Sequence, residues 1–263
     1  MNTKAPEIFS AIMKKAGVIG TYEPFVISPG KLSEAIREIR KLNIAGANVT
    51  TPYKETIMPH LDELSEGATI IGSINTIVRK GNKLKGYNTN AIGFMDALKE
   101  AGLDASSKSA LVFGTGGAAR AVIFILNWVH ANPILVTGRS QGKVSAIVKQ
   151  IGGEAVTLNT LSDQLLPVNL VINATSVSSP DEAPELAEIV NRLKLPRCEM
   201  VIDLNYGRPH NFWKDMAQNK GIPFMDGLSS LANQAMSTFA LWTGIEVKPE
   251  IFITAIQGTE KAE

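Results

Sequence analysis

The chain has 263 residues, 44% of them hydrophobic and 19% charged, and a formal net charge of +1. That balance suits a globular chain with room for one large domain or two smaller ones, and it offers no general attraction to nucleic acid or to a membrane surface. One cysteine, Cys198, excludes an internal disulfide, and His60, His130 and His210 are scattered without metal-ligand spacing, so no metal site is expected.

Apolar residues at helical spacing (Ile8, Phe9, Ile12, Met13) predict a helix from Pro6 to about Gly17, and Tyr22 to Ile27 reads as a strand. A second helix carries Leu32, Ala35, Ile36 and Ile39 on one face and leads to a strand at Gly46 to Thr50. This αβαβ rhythm implies an α/β domain of its own at the start of the chain. In the run Asn48-Val49-Thr50-Thr51-Pro52-Tyr53-Lys54-Glu55, Pro52 suits the first position of a helix and Thr51 can cap it. Lys54 would then lie in the first helical turn, where the macrodipole disfavours a cation and lowers its pKa. Such a lysine is either an ordinary surface residue or a carrier of protons.

A helical stretch through Asp62 to Ile71 is expected next, followed by a strand beginning in Gly72-Ser73-Ile74-Asn75-Thr76-Ile77, where Asn75 is the polar exception among apolar neighbours. Gly86-Tyr87-Asn88-Thr89-Asn90 closes a hairpin and starts a helix over Ala91 to Ala101, with capping as the plain explanation for its polar residues.

From Ser109 the pattern becomes strand, glycine turn and helix. A buried strand ends at Phe113, and Gly114 and Gly116 permit a turn tight enough for main-chain N–H groups to approach a phosphate. Ala119 completes G-x-G-x-x-A, and a helix over about Ala118 to Val129 would point its positive end at a pyrophosphate. The longest apolar run, Ala121 to Val129, is far shorter than the ~20 residues of a membrane span. With no signal-peptide layout at the N-terminus, a cytoplasmic protein is expected. A second strand, Pro133 to Thr137, ends in Gly138-Arg139-Ser140 with Lys143 beyond and no carboxylate. Two cations and a hydroxyl suit a ribose 2′-phosphate, which favours NADP over NAD; a solvated helix start is the alternative.

Later strands end in polar residues: Asn169 to Asn173 in Ala174-Thr175-Ser176, and Glu199 to Leu204 in Asn205-Tyr206. Ligands of open α/β folds bind at such carboxyl ends. After a strand at Pro223 to Met225, Asp226-Gly227 opens a long helix with Gln234 on or near its apolar face, a buried amide in need of a partner. A final helix over Pro249 to Ile256 should pack on the first domain.

In order along nearly the whole chain, Asn48 to Glu55, Gly72 to Thr76, Gly86 to Thr89, Gly114 to Ala121, Asn173 to Ser176, and Asp226-Gly227 through Gln234-Ala235 resemble the motifs of the shikimate dehydrogenase family. The resemblance implies an N-terminal α/β substrate domain and a Rossmann-type NADP-binding domain with a cleft between them. The expected division is 1–89, with 244–263 packing back on it, and 90–243. It implies interconversion of 3-dehydroshikimate and shikimate with NADP as cofactor, by a monomer or homodimer. A quinate or other cyclic hydroxy-acid dehydrogenase, or a ligand-binding pseudoenzyme of the same fold, is the alternative.

Carried over by position, Lys54 resembles the catalytic lysine, and Thr50, Asn75, Tyr206 and Gln234 resemble substrate ligands. Gly114, Thr115, Gly116, Gly117, Ala118, Gly138, Arg139, Ser140, Lys143, Thr175, Leu204 and Gly227 resemble the cofactor shell. Three departures stand out. The family's Gly-Tyr-Asn-Thr-Asp ends here in Asn90, which can bind substrate but cannot ion-pair with Lys54, so a lower lysine pKa and slower turnover are expected. The family's Ser-x-Ser-Pro aligns with Thr3-Lys4-Ala5-Pro6, where Thr3 keeps a hydroxyl and Ala5 loses one. The opening strand that precedes that motif in the family is absent, which would expose a sheet edge or leave it to a partner chain.

Overall fold

The computed structural model describes residues 5–260. The chain divides into two compact units, one made of residues up to Gly93 together with those from Leu231 onward, the other of Phe94–Ser230. In chain order the elements are α1 (Ala5–Lys15), α2 (Leu32–Lys41), β1 (Gly46–Asn48), β2 (Glu63–Leu64), α3 (Glu66–Ile71), β3 (Thr76–Lys80), β4 (Lys83–Tyr87), α4 (Thr89–Glu100), β5 (Ala110–Phe113), α5 (Gly117–Trp128) and β6 (Ile134–Thr137). They continue with α6 (Gln141–Ile151), β7 (Glu154–Ala155), β8 (Leu170–Asn173), α7 (Pro184–Asn191), β9 (Met200–Asp203), α8 (Phe212–Asn219), β10 (Phe224–Met225), α9 (Leu228–Thr243) and α10 (Pro249–Glu260).

The first unit is built on a four-stranded mixed sheet in the order β1-β3-β4-β2. β3 and β4 form an antiparallel hairpin, β1 pairs antiparallel with β3 (Gly46 opposite Val78), and β2 runs parallel to β4. Ile36, Val49, Ile57, Ile74, Ile77 and Leu84 form its core. Each such side chain contributes ~1.5–3 kcal/mol when removed from water. Gly46 has to be small: a Cβ there would lie 2.1 Å from Nε1 of Trp242, whose N–H donates to the Ile77 carbonyl at 2.9 Å. This contact ties α9 to the sheet. α10 packs on α1, with Phe252 edge-on to Phe9.

The second unit is a six-stranded parallel sheet in the order β10-β9-β8-β5-β6-β7. β5 and β8 are buried at every position, as expected of strands covered by helices on both faces. Phe113, Val171, Val201 and Phe212 pack with Trp213, which meets Phe113 edge-on at 4.8 Å between ring centres. The chain builds outward from β5 through β6 and β7, then returns to β8 and continues outward the other way. The topological switch point therefore lies at the carboxyl ends of β5 and β8.

Four sequence expectations are corrected here. Tyr22 to Ile27 is irregular, because no strand among the described residues pairs with it: Tyr22 stacks on Phe9 and donates its hydroxyl to Asn48, and the Ile27 carbonyl accepts from the Tyr53 hydroxyl. No helix starts at Pro52. The Thr51–Pro52 peptide is cis, and the Lys54 carbonyl, which a helix would use internally, accepts instead from the Ile74 N–H at 2.8 Å. The expected helix over Asp62 to Ile71 is confined to α3, since Glu63–Leu64 pairs with β4. The units also join after Gly93 and after Ser230, so most of α9 belongs with the first unit rather than the second.

Candidate functional site

In the first unit the polar exceptions of the sequence converge. Asn75 precedes β3, its carbonyl accepting from the Val49 N–H and its own N–H donating to Tyr87. The Thr89 backbone N–H donates to Asn75 Oδ1 at 2.7 Å. A backbone N–H can only donate, which fixes the orientation of the amide. Asn75 Nδ2 then donates to Thr89 Oγ1 at 2.8 Å, to Asn90 Oδ1 at 3.2 Å and, at the limit of reach, to Gln234 Oε1 at 3.5 Å. Asn90 thus commits its oxygen to Asn75, and its Nδ2 is buried with no hydrogen-bond partner among the described residues. An orphaned buried donor costs ~1–3 kcal/mol, a cost that a ligand oxygen would remove.

Beneath the amides, the hydroxyls of Thr76, Thr89 and Thr238 form a closed triangle with sides of 3.0–3.2 Å. Thr238 lies one turn beyond Gln234 on α9, so a single helix face supplies both. Asn88 does cap α4, accepting from the Ala91 N–H, while Thr89 and Asn90 serve the network instead.

The Lys54 main chain adjoins this cluster, its carbonyl accepting from the N–H of Ile74, the residue before Asn75. Burial pushes the Lys54 ammonium below the ordinary lysine value of 10.5. The direction matches the sequence expectation, and its cause is desolvation rather than a helix start at Pro52. Thr50 is exposed on the same turn, and its carbonyl accepts from the Tyr53 N–H. Ala5 is the first residue of α1, and Thr3 lies outside the described residues.

The second unit carries the remaining candidates. Gly114 has φ +128°, and a Cβ on it would meet the Ala174 carbonyl oxygen at 2.8 Å, so only glycine fits between the ends of β5 and β8. Gly116 is the N-cap of α5 with no side-chain cap, which leaves first-turn N–H groups, beginning with Gly117 and Ala118, for an anion. Gly138 faces Thr115, where a Cβ would come within 3.0 Å of its methyl. Arg139, Ser140 and Lys143 are exposed at the start of α6, whose N-cap Ser140 also makes no side-chain cap. Thr175 donates its hydroxyl to Asn173 at 2.7 Å. Gly227 packs directly on Leu204, with room for no Cβ, and its N–H donates to the Asn205 carbonyl.

Lys54, Asn75, Asn90 and Gln234 are thus gathered in the first unit. Tyr206, named with them from the sequence, follows β9 in the second unit among the coenzyme candidates. Sequence reasoning missed the Thr76, Thr89 and Thr238 hydroxyls, although two of them sit inside motifs already singled out and the third follows Gln234 by one helical turn. It also missed Asp203, whose signal was a carboxylate at the end of an apolar run. Among the described residues no group of three or more His, Cys, Asp or Glu side chains could hold a metal ion. Burial raises the Cys198 thiol to about 11, which leaves it a poor nucleophile.

The glycine cradle and uncapped helix start fit a dinucleotide, and a lysine beside a cluster of amides fits a polar organic substrate. Together they define a two-unit nicotinamide-dependent oxidoreductase. Two family models match: one described as the shikimate dehydrogenase substrate binding domain over residues 1–77, the other as shikimate / quinate 5-dehydrogenase over 96–226. A shikimate dehydrogenase (NADP(+)) of Desulforamulus reducens is 35% identical, over 94% of this chain and 88% of its own. One from Bacillus subtilis is 30% identical over 98% and 95%. The crystal structure of the Aquifex aeolicus shikimate dehydrogenase superposes with a TM-score of 0.85 at 31% identity, over 97% and 93%. That of Thermus thermophilus shikimate 5-dehydrogenase in complex with NADP(H) and shikimate gives 0.83 at 32%, over 97% and 94%. The chain belongs to the shikimate dehydrogenase family.

Proposed function

We propose that this protein is an NADP-dependent shikimate dehydrogenase that interconverts 3-dehydroshikimate and shikimate. The observation that carries the reading is the amide cluster of Asn75, Asn90 and Gln234 with one unused donor, Asn90 Nδ2, beside the half-buried Lys54, whose pKa desolvation lowers and whose carbonyl binds the Ile74 N–H. The first unit binds the ring, and the second binds the coenzyme through Gly114 to Ala118, Gly138, Thr175, Leu204 and Gly227, with Arg139, Ser140 and Lys143 at the 2′-phosphate. Bound NADPH supplies a hydride to the ketone carbon.

As that carbon is reduced, negative charge develops on its oxygen. The Lys54 ammonium stabilises the charge and gives Nζ–H as the proton, leaving a neutral amine. In the reverse direction the neutral amine takes the proton from the alcohol. A lowered pKa suits both tasks, because the ammonium gives up its proton, and the amine is reached, more readily than in an ordinary lysine. Asn75, Asn90 and Gln234 hold the ring through its oxygens, with Thr50 and Tyr206 as further ligands, so that the carbonyl is oriented before reaction. Asn90 supplies a donor without charge, so Lys54 works without the carboxylate that the family places there. The same reading sets the enzyme in the cytoplasm, as a monomer or homodimer; no helix among the described residues is long and apolar enough to cross a membrane.

The test is coenzyme absorbance with NADP+ and shikimate. Turnover should be measurable for the native chain and fall by about 10²- to 10⁴-fold in Lys54→Ala, while NADPH still binds. Undiminished turnover in that variant would sink the assignment.

A further inference from the structure

Asp203 is wholly buried at the end of β9, and the role described so far leaves it unused. Its Oδ1 accepts from Asn173 Nδ2 at 2.8 Å and from both the backbone N–H and Nδ2 of Asn205 at 3.0 Å; its Oδ2 accepts from Ser178 Oγ and Asn211 Nδ2, each at 2.7 Å. Every one of these donors is neutral. The carboxylate is therefore stabilised by converging dipoles, with no ion pair among these contacts, and each donor residue comes from a different segment: the end of β8, the loop after it, the second residue after β9 and the N-cap of α8.

The consequence travels outward. A carboxylate only accepts, so Asp203 forces Asn173 to present Nδ2 to it and Oδ1 to the other side. That Oδ1 accepts from the Thr175 N–H at 3.0 Å and from the Thr175 hydroxyl at 2.7 Å. Asn205, fixed in the same way, donates from Nδ2 to the Thr175 carbonyl at 3.0 Å. Thr175 is thus held at three atoms by two residues that Asp203 orients. Thr175 N and the Ala174 carbonyl are also the atoms that a Cβ on Gly114 would strike, at 3.2 and 2.8 Å. The wall of the glycine cradle is set by the hydrogen bonds that Asp203 organises, while apolar packing already secures β8 and β9 through Val171, Ile172, Val201 and Ile202.

We propose that Asp203 is a positioning residue for the coenzyme: it locks Thr175 and the 204–206 segment into the shape of the nucleotide cradle. The proposal rests on the reading of Gly114 to Ala118, Thr175 and Leu204 as that cradle. Asp203→Asn keeps the shape but sets a donor against donors, which should flip Asn173 or Asn205 and release Thr175.

The test is NADPH binding to the full chain by fluorescence titration, with the KM for shikimate and the thermal midpoint measured in parallel. Asp203→Asn should raise the NADPH Kd tenfold or more and the shikimate KM by a smaller factor, transmitted through Tyr206 beside Asn205. Asn205→Ala, which keeps the carboxylate and removes one relay, should shift the Kd in the same direction by less, and it decides the matter if Asp203→Asn does not fold. A lowered thermal midpoint with unchanged NADPH Kd in both variants would reduce Asp203 to a structural role and overturn the proposal. Gly114→Ala separates the two levels. If it weakens NADPH binding while the Asp203 and Asn205 variants do not, only the positioning role fails; if it leaves binding intact, the cradle is misread and both fall.

Discussion

In the proposed site the ligand groups of the first unit are side chains: the Lys54 ammonium and the amides of Asn75, Asn90 and Gln234, with the Thr76, Thr89 and Thr238 hydroxyls bonded among themselves beside Asn75. In the second they belong mostly to the backbone, the N–H groups of an uncapped α5 and a glycine turn too crowded for any Cβ. Their buried polar clusters differ in kind as well. The one around Asn75 is built from neutral amides and hydroxyls; the one around Asp203 is built on a charge with neutral donors. The difference teaches where each property resides. Substitution in the first unit should alter chemistry and ring recognition, and substitution in the second, Tyr206 apart, should alter coenzyme affinity.

The sharpest way to break this division is Asn75→Leu. It would leave the Thr89 N–H unpaired and free Asn90 and Gln234, at a cost on the order of 3 kcal/mol in stability. Shikimate turnover should collapse while NADPH affinity holds, as chemical denaturation and fluorescence titration would show. A matching loss of NADPH affinity would mean that the two functions are not separable. Next in size, Arg139→Ala should weaken NADP+ binding about tenfold and leave NAD+ binding alone, because one charged contact to a phosphate is worth ~1.5–3 kcal/mol at most. Equal loss for both coenzymes would remove Arg139 from the 2′-phosphate.

A subtler probe is pH. With its pKa lowered below 10.5, Lys54 loses its proton earlier than an ordinary lysine as pH rises. Ketone reduction, which needs the ammonium, should decline through that pKa, and alcohol oxidation, which needs the amine, should rise through it. Asn90→Asp adds a carboxylate to the cluster, raises the lysine pKa and should carry both limbs to higher pH. Superimposable profiles for the two proteins would show that residue 90 does not sense Lys54. The smallest effect belongs to Thr238→Val. Thr76 and Thr89 would still bond each other at 3.2 Å, so a loss of about 1 kcal/mol in stability is expected, with kcat barely changed.

The same contrast governs what could be read in advance. Strands β5, β6, β8 and β9 were legible within about a residue, because strands buried on both faces are uninterrupted apolar runs, and the glycine turn announced itself by spacing. The first unit was harder. Tyr22 to Ile27 has the composition of a strand, but a strand exists only where another pairs with it. The turn at Pro52 has the signals of a helix start, yet the Lys54 carbonyl goes to Ile74. Asn75 and Gln234 stood out as amides among apolar neighbours. Thr76, Thr89 and Thr238 did not, since threonine is at home in strands and helices alike and only the fold shows that its hydroxyls meet. Asp203 lay unremarked within the strand read over Glu199 to Leu204, and only the fold shows four segments of chain closing on it.

Gln234 and Thr238 reach Asn75 and Thr76 across 159 and 162 residues of sequence. The first unit is discontinuous, and its last pieces are the last to be made. On the ribosome, residues 94–230 are complete before the rest of α9 emerges, so the second unit can fold while the N-terminal sheet still lacks the Thr238 hydroxyl that bonds Thr76 and Thr89. Domains usually mature in the order of synthesis, N-terminal first; here the second unit is complete in the nascent chain before the first, and a chain cut short at its boundary holds Lys54, Asn75 and Thr89 without Gln234 and Thr238.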